Sequence, residues 1–330
     1  MEAYRVVNKV PTKVLTFGTG IGDNLLDVKH LVLLFPGNPG IIDYYREFMK
    51  ELYVRLRSKY PKLNIPVWGI SHAGHQTEGS HEYTFPYLNE NPEVYSLEGQ
   101  CTHKVKFLES FVPPHINVIG IGHSIGCKVW METLKRMDEH INSIAEPKKR
   151  PNISKVFMLF PTIERMRYTP NGQRTLPLLK WSKFLTPLLW PISLLPLCVQ
   201  KWMIQFHFRG TPVPECALPA TLQLFNYDIV KRIAFMAKCE LEQVVELDTA
   251  AVEKYMGKLF FYFGTTDGWC PLTFVDEMKE RFPKLEHKVC ENGFVHAFVL
   301  ENSSGMADFL KDEITLASED AKKDEDLMEK

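Results

Sequence analysis

A serine between two glycines, an aspartate in a turn and a histidine in a late loop stand far apart in this 330-residue chain. Together they have the composition of a nucleophile with its base. Ser124 lies in "VIGIGHSIGCKVW", where an apolar run meets Gly122-His-Ser-Ile-Gly126 and a helix-like pattern follows. Small flanks let a strand reverse sharply into a helix, hold the serine in a strained backbone conformation and leave its oxygen clear. A side chain at either glycine is expected to collide with the incoming helix. A serine hydroxyl is almost fully protonated at neutral pH, so it needs an adjacent base. His296 in "GFVHAFV" is that base, and Asp267 in "FGTTDGW" is the acid that would fix the imidazole tautomer and stabilise the imidazolium. Glu164 in "PTIER" is the rival acid.

Attack by such a serine on an ester creates a tetrahedral intermediate with a negative oxygen, which preorganised backbone N–H groups stabilise. Ile125, directly after the serine, supplies one donor. Asn38, in the Pro/Gly-rich turn "PGNPG" behind the first strong strand, is best placed to supply the second. His72, His75 and His81 around "SHAGH" suggest a metal, yet no third ligand of suitable spacing is evident. They are expected to line the pocket mouth or to satisfy turn hydrogen bonds, and no cofactor is required. Asp43 and Asp276 fall within helical patterns and read as solvated faces.

These residues need a frame that brings them to one place. "HLVLLF" from His30 is an apolar run ending in a turn, as buried parallel strands are. Tyr45, Phe48, Met49, Leu52 and Leu56 then recur at helical spacing until Pro61. Strand, turn and helix repeat through "IPVWGISHAGH", a helix from Ser96, "INVIGIGHS" and the helix after Ser124. Further strands read at "KVFMLFPT", "GKLFFYFGTTD" and "EHKVCEN", with a last helix near Gly305 to Ile314. Such alternation implies a mostly parallel central sheet with helices on both faces. Loops at the carboxyl ends of its strands converge, and all the candidate residues sit there in the order Ser, Asp, His. That order belongs to the α/β-hydrolase fold. Dehalogenase and epoxide hydrolase chemistry is disfavoured, because those members carry an aspartate where this chain has Ser124.

The segment between Pro161 and Gly257 exceeds what a strand crossover needs, so an inserted cap over about residues 164–250 is expected within a domain of residues 1–316. Within it, "FLTPLLWPISLLPLCVQ" is uncharged from Phe184 to Gln200 and bounded by Lys183 and Lys201. It is short for a membrane span and broken by Pro187, Pro191 and Pro196. A bent element carrying Trp190, Leu194, Leu195 and Trp202 could dip into one leaflet and return. The alternative is a buried helix pair lining an apolar pocket. Residues 317–330 form a charged tail that reads as a solvated end. A net charge of −1 gives no bulk attraction to nucleic acid. Seven scattered cysteines fit reduced thiols, and "MEAYRVVNKV" lacks the pattern of a cleaved signal peptide.

The segments "FPGNPG", "PVWGISHAGH", "GHSIG", "LFPTIERM", "FYFGTTDGWCP" and "VHAF" together resemble the lipid droplet-associated hydrolase family. The resemblance runs from the first strong strand to His296. It implies a serine esterase or lipase residing on lipid droplets and the endoplasmic reticulum, with sterol esters as suggested substrates. It assigns the triad to Ser124, Asp267 and His296, and droplet targeting to the proline-broken stretch. Gly268 departs from the family pattern, where proline follows the acid, and is expected to loosen that turn.

Overall fold

The apolar runs build one sheet. The computed structural model describes residues 1–77, 84–143, 150–182 and 186–316. Its strands are β1 (Glu2–Val7), β2 (Val10–Phe17), β3 (His30–Phe35), β4 (Val67–Ile70), β5 (Asn117–His123), β6 (Asn152–Leu159), β7 (Leu259–Phe263) and β8 (Glu286–Val289). They are ordered β1-β2-β4-β3-β5-β6-β7-β8. The first two join antiparallel and every pairing from β4 to β8 is parallel. This is the mostly parallel, doubly covered sheet expected from the alternating pattern, extended by β1 and β2.

Strand alternation divides the core. Leu31, Leu33 and Phe35 of β3 face one apolar layer, and Val32 and Leu34 face the other. The first layer is covered by α3 (Leu97–Phe111) and α4 (Ile125–Ser143), the second by α1 (Arg46–Lys59) and the C-terminal helix Ser303–Glu313. Between α1 and α3 lies the single turn α2 (Pro92–Tyr95). Ser96 caps α3 by accepting the Gly99 N–H at 3.0 Å, and α1 ends at Lys59, just before Pro61. Each apolar side chain buried in these layers contributes roughly 1.5–3 kcal/mol relative to exposure.

Between β6 and β7 the chain is helical. It forms α5 (Pro170–Lys180), α6 (Trp190–Ser193), α7 (Leu197–His207), α8 (Ala217–Leu222), α9 (Tyr227–Gln243) and α10 (Thr249–Tyr255). After β7 come α11 (Leu272–Arg281) and α12, the C-terminal helix already described. The apolar stretch is bent as its prolines dictate, with Pro196 preceding α7. Several of its large apolar side chains, and Trp202 just beyond it, are exposed: Trp190, Leu194, Leu197 and Trp202 are each more than half exposed, and Leu195 is 37% exposed. Among the described residues no helix is long and apolar enough to cross a membrane. The expected charged tail, residues 317–330, lies outside the described residues, as do His81, Lys183 and Phe184.

Asp43 is not on a solvated face. It is 5% exposed, and both its oxygens meet the Lys13 ammonium, at 2.8 and 2.9 Å. Arg46 and Gln223 complete the cluster. Burial alone would raise the Asp43 carboxyl, but Lys13, Gln223 and Arg46 outweigh it and hold it below its ordinary range. A buried charge needs such partners, and Lys13 on β2 is too distant in sequence for a helical pattern to reveal it. Asp276 is exposed beside Lys279, as expected.

Candidate active site

The strand-to-helix turn after β5 places Ser124 at its tip with φ +55°, a left-handed value that a non-glycine residue holds only under constraint. The Ser124 N–H donates to Leu159 O at 2.9 Å, and the Cys127 N–H returns to Ser124 O at 3.0 Å. A side chain at Gly122 would come within 2.9 Å of the Cys127 backbone, which is the incoming helix. Gly126 differs from expectation. Its missing side chain would strike Phe35 O of β3 at 2.2 Å, so this glycine lets α4 lie against the neighbouring strand.

The loops after β7 and β8 bring the other two residues to the serine. His296 Nε2 lies 3.0 Å from Ser124 Oγ, and His296 Nδ1 lies 2.8 Å from Asp267 Oδ2. A carboxylate only accepts, so Nδ1 carries the hydrogen and Nε2 presents its lone pair to the serine hydroxyl. The Asp267 side chain has no exposed surface, and its Oδ1 accepts the Trp269 N–H at 2.7 Å. Glu164 lies elsewhere, bonded to Arg165 at 2.8 Å, and burial raises its carboxyl against the opposing pull of that guanidinium. The turn at Gly268 is not loose. Gly268 O accepts the Asn171 N–H at 3.0 Å, and a side chain at Gly268 would meet the Asn171 side chain at 2.6 Å.

The turn after β3 presses on the serine from the other side. A side chain at Gly37 would sit 2.8 Å from Ser124 Cβ, which places the following Asn38 beside the site. The Asn38 side chain is turned away from the serine into the helical insertion. Its Nδ2 donates to Glu240 Oε1 at 2.9 Å and to Ile233 O at 3.3 Å, both on α9. Ile125 is fully buried at the N-terminus of α4. Thr162, after β6, has its hydroxyl 3.5 Å from Ser124 Oγ.

His72 and His75 line no mouth. Both are fully buried under the "PGNPG" turn, where His75 Nδ1 donates to Pro39 O at 2.8 Å. The His72 ring occupies the space that a side chain at Gly40 (φ +72°) would need. Burial drives the His75 imidazole down to about 3, and His72 is depressed likewise, so both stay neutral props. Among the described residues no group of three or more His, Cys, Asp or Glu could hold a metal.

Sequence reasoning missed Glu240, Tyr45 and His123 around the site. Glu240 is 4% exposed, and burial pushes its carboxyl up to about 8, with the Asn38 bond opposing. Nothing in "AFMAKCELEQ" separates it from its exposed neighbour Glu242. Tyr45 read as helix core, and His123 stood in the GHSIG segment without a role.

A strained strand-to-helix turn bearing Ser124 between β5 and α4, with Asp267 and His296 brought to it by the loops after β7 and β8, is the arrangement of the α/β-hydrolase fold. A deformylase from Pseudomonas putida shares it at a TM-score of 0.58, with 10% identity over 94% of this chain and 99% of that one. At that identity the likeness shows the fold alone. Residues 28–299 match the family model described as lipid-droplet associated hydrolase. A lipid droplet-associated hydrolase of Gallus gallus is 37% identical over 293 residues, 86% of each chain. One of Drosophila melanogaster is 34% identical over 318 residues, 95% of this chain and 97% of that one. This chain belongs to the lipid droplet-associated hydrolase family and is a hydrolase.

Proposed function

We propose that this chain hydrolyses neutral lipid esters, sterol esters among them, through Ser124 as nucleophile, His296 as general base and Asp267 as its orienting acid. It would work on lipid droplets and the cytosolic face of the endoplasmic reticulum. The observation that carries the reading is the unbroken line of hydrogen bonds from Ser124 Oγ through His296 to buried Asp267, on a strained turn. Ser124 Oγ attacks the ester carbonyl carbon while its proton passes to His296 Nε2, and Asp267 stabilises the imidazolium. The N–H groups of Ile125 and Asn38 receive the oxyanion. Collapse expels the alcohol with the proton from His296, and water then releases the acid by the same steps in reverse order.

The insertion, about residues 164–250, serves as the cap. Its exposed Trp190, Leu194, Leu195 and Trp202, close in sequence to Lys201 and Arg209, suit insertion into a single leaflet. The test is a fluorophosphonate probe, which reports an activated serine without knowledge of the substrate, followed by hydrolysis of an emulsified sterol ester. Purified protein should label and hydrolyse, and Ser124→Ala should do neither. Equal hydrolysis by Ser124→Ala overturns the reading.

One observation favours a second role. The exposed apolar side chains of α6 and α7 do not depend on Ser124, so the chain could bind or cluster droplets as a scaffold. In that case Ser124→Ala keeps the cellular effect on droplet size and deletion of residues 184–200 removes it.

A further inference from the structure

The Gly37 N–H, one peptide before Asn38, is already spoken for. It donates to Tyr45 Oη at 2.9 Å. Tyr45 Oη lies 2.6 Å from His123 Nδ1, and His123 Nε2 lies 2.8 Å from the main-chain O of His296. The directions along this line are forced. A carbonyl oxygen only accepts, so His123 carries its hydrogen on Nε2. Nδ1 is then an acceptor, Tyr45 must donate to it, and the tyrosine oxygen is left to accept from Gly37.

The line is dry and packed. Tyr45 is 4% and His123 5% exposed. Burial, reinforced by the neighbouring His296, keeps His123 well below its ordinary titration range, so it stays neutral. Phe298 meets the His123 ring edge-on at 5.0 Å and the Tyr45 ring at 6.4 Å, which fixes both planes.

We propose that Tyr45 and His123 are positioning residues for the hydrolysis, a buried relay that sets the spacing between the Gly37–Asn38 backbone and the loop holding His296. This rests on the serine-hydrolase reading above. The relay joins three segments far apart in sequence: the turn after β3, the end of β5 beside Ser124, and the loop after β8. It also commits the Gly37 N–H to protein, which leaves the oxyanion to Asn38 and Ile125. Neither side chain touches the reacting atoms.

The experiment uses the full chain, its histidines labelled with 15N, as wild type, Tyr45→Phe, His123→Gln and His123→Phe. Nuclear magnetic resonance of wild type should show His123 as the Nε2–H tautomer from about pH 5 to about pH 9. Tyr45→Phe should shift the ring resonances of both His123 and His296. The rate of fluorophosphonate labelling should fall on the order of tenfold to a hundredfold, because a displacement of about 1 Å at a reacting group costs that much. For an ester substrate the loss should be in kcat, with KM moved by less than about twofold, since transition-state geometry changes and binding surface does not. His123→Gln keeps a side-chain N–H toward His296 O and should recover part of the rate, whereas His123→Phe fills the volume without a polar atom and should not.

Labelling by Tyr45→Phe within about twofold of wild type, with His296 resonances unmoved, overturns the proposal, as does an Nδ1–H tautomer at His123. If wild type itself fails to label, the serine-hydrolase reading fails and the resonance shifts still decide whether the relay positions His296. If Tyr45→Phe does not fold, His123→Gln is judged by the same readouts.

Discussion

The loops around Ser124 and the helices of the insertion are built on opposite terms. Around the serine, main chain and side chains hold one another at fixed distances: Leu159 O, Asp267 and the Tyr45–His123 pair each meet a specific atom. On α6 and α7 large apolar side chains point outward, with Trp190 and Trp202 mostly exposed. The first region is determined by the fold itself. The second presents exposed apolar surface, which on the proposed reading lipid would cover. On the proposed reading, chemistry is kept where main chain and side chains are most closely bonded, and surface recognition where apolar side chains are left exposed.

The sharpest break of this contrast is Ser124→Ala. Hydrolysis should fall by at least about ten-thousandfold, since triad members act as a unit. Partition onto vesicles should not change, because the exposed apolar residues are untouched. A loss of both would show that the two regions are coupled.

Two glycines give the next comparison. Gly126→Ala drives a methyl group to within 2.2 Å of Phe35 O, and should cost about 3 kcal/mol or more of unfolding free energy as α4 is pushed off β3. Gly210→Ala, at φ +79° in the insertion with nothing within 4 Å, should cost only about 1 kcal/mol, the strain of a left-handed residue. Denaturant midpoints of the two variants measure the difference. Equal losses would mean that the insertion is as tightly constrained as the nucleophile turn.

Glu240 stands where the two regions meet, and its pH dependence has a definite sign. Burial raises its carboxyl from 4.5 to about 8, so the folded chain holds a proton that the unfolded chain releases. Its contribution to stability is fully present below about pH 4.5 and is lost progressively as pH rises to about 8. Glu240→Gln removes that dependence while leaving an amide to face Asn38. The difference in unfolding free energy between wild type and variant should change by on the order of 5 kcal/mol across this window. A flat difference would mean that Glu240 is solvated and does not tie α9 to the turn after β3.

The legibility of the chain follows the same division. Ser124, Asp267 and His296 could be found because a buried parallel strand followed by a turn is a local pattern, and such turns share one edge of the sheet. The pairing of Asp43 with Lys13 could not, because it depends on two elements meeting in space, and a charged residue in β2 hides the strand as well. Glu240 and Tyr45 were hidden for a related reason: each satisfies a helical pattern while its polar atom turns to a residue far away in sequence, Asn38 for Glu240 and His123 for Tyr45. The bend in the apolar stretch was legible from Pro191 and Pro196. Its outward face was the first of two readings the sequence allowed, since an apolar run reads alike whether it is covered by protein or by lipid.

Trp202→Ser tests that last distinction with the smallest expected effect. Trp202 is 61% exposed and, among the described residues, stacks only on Phe206 of its own helix, at 5.6 Å. Losing it should leave the folded stability within about 0.5 kcal/mol of wild type, as exposed substitutions do. If the face enters lipid, burial of the indole there contributes about 1.5 kcal/mol or more, and flotation with neutral phospholipid vesicles should fall about tenfold. Raising the salt concentration should matter little, because the attachment is apolar rather than ionic. Hydrolysis of a water-soluble short-chain ester should be unchanged, and that of an emulsified ester should drop with the partition. Unaltered flotation together with a clear loss of stability would instead make Trp202 part of a protein core, and the contrast between the two regions would close.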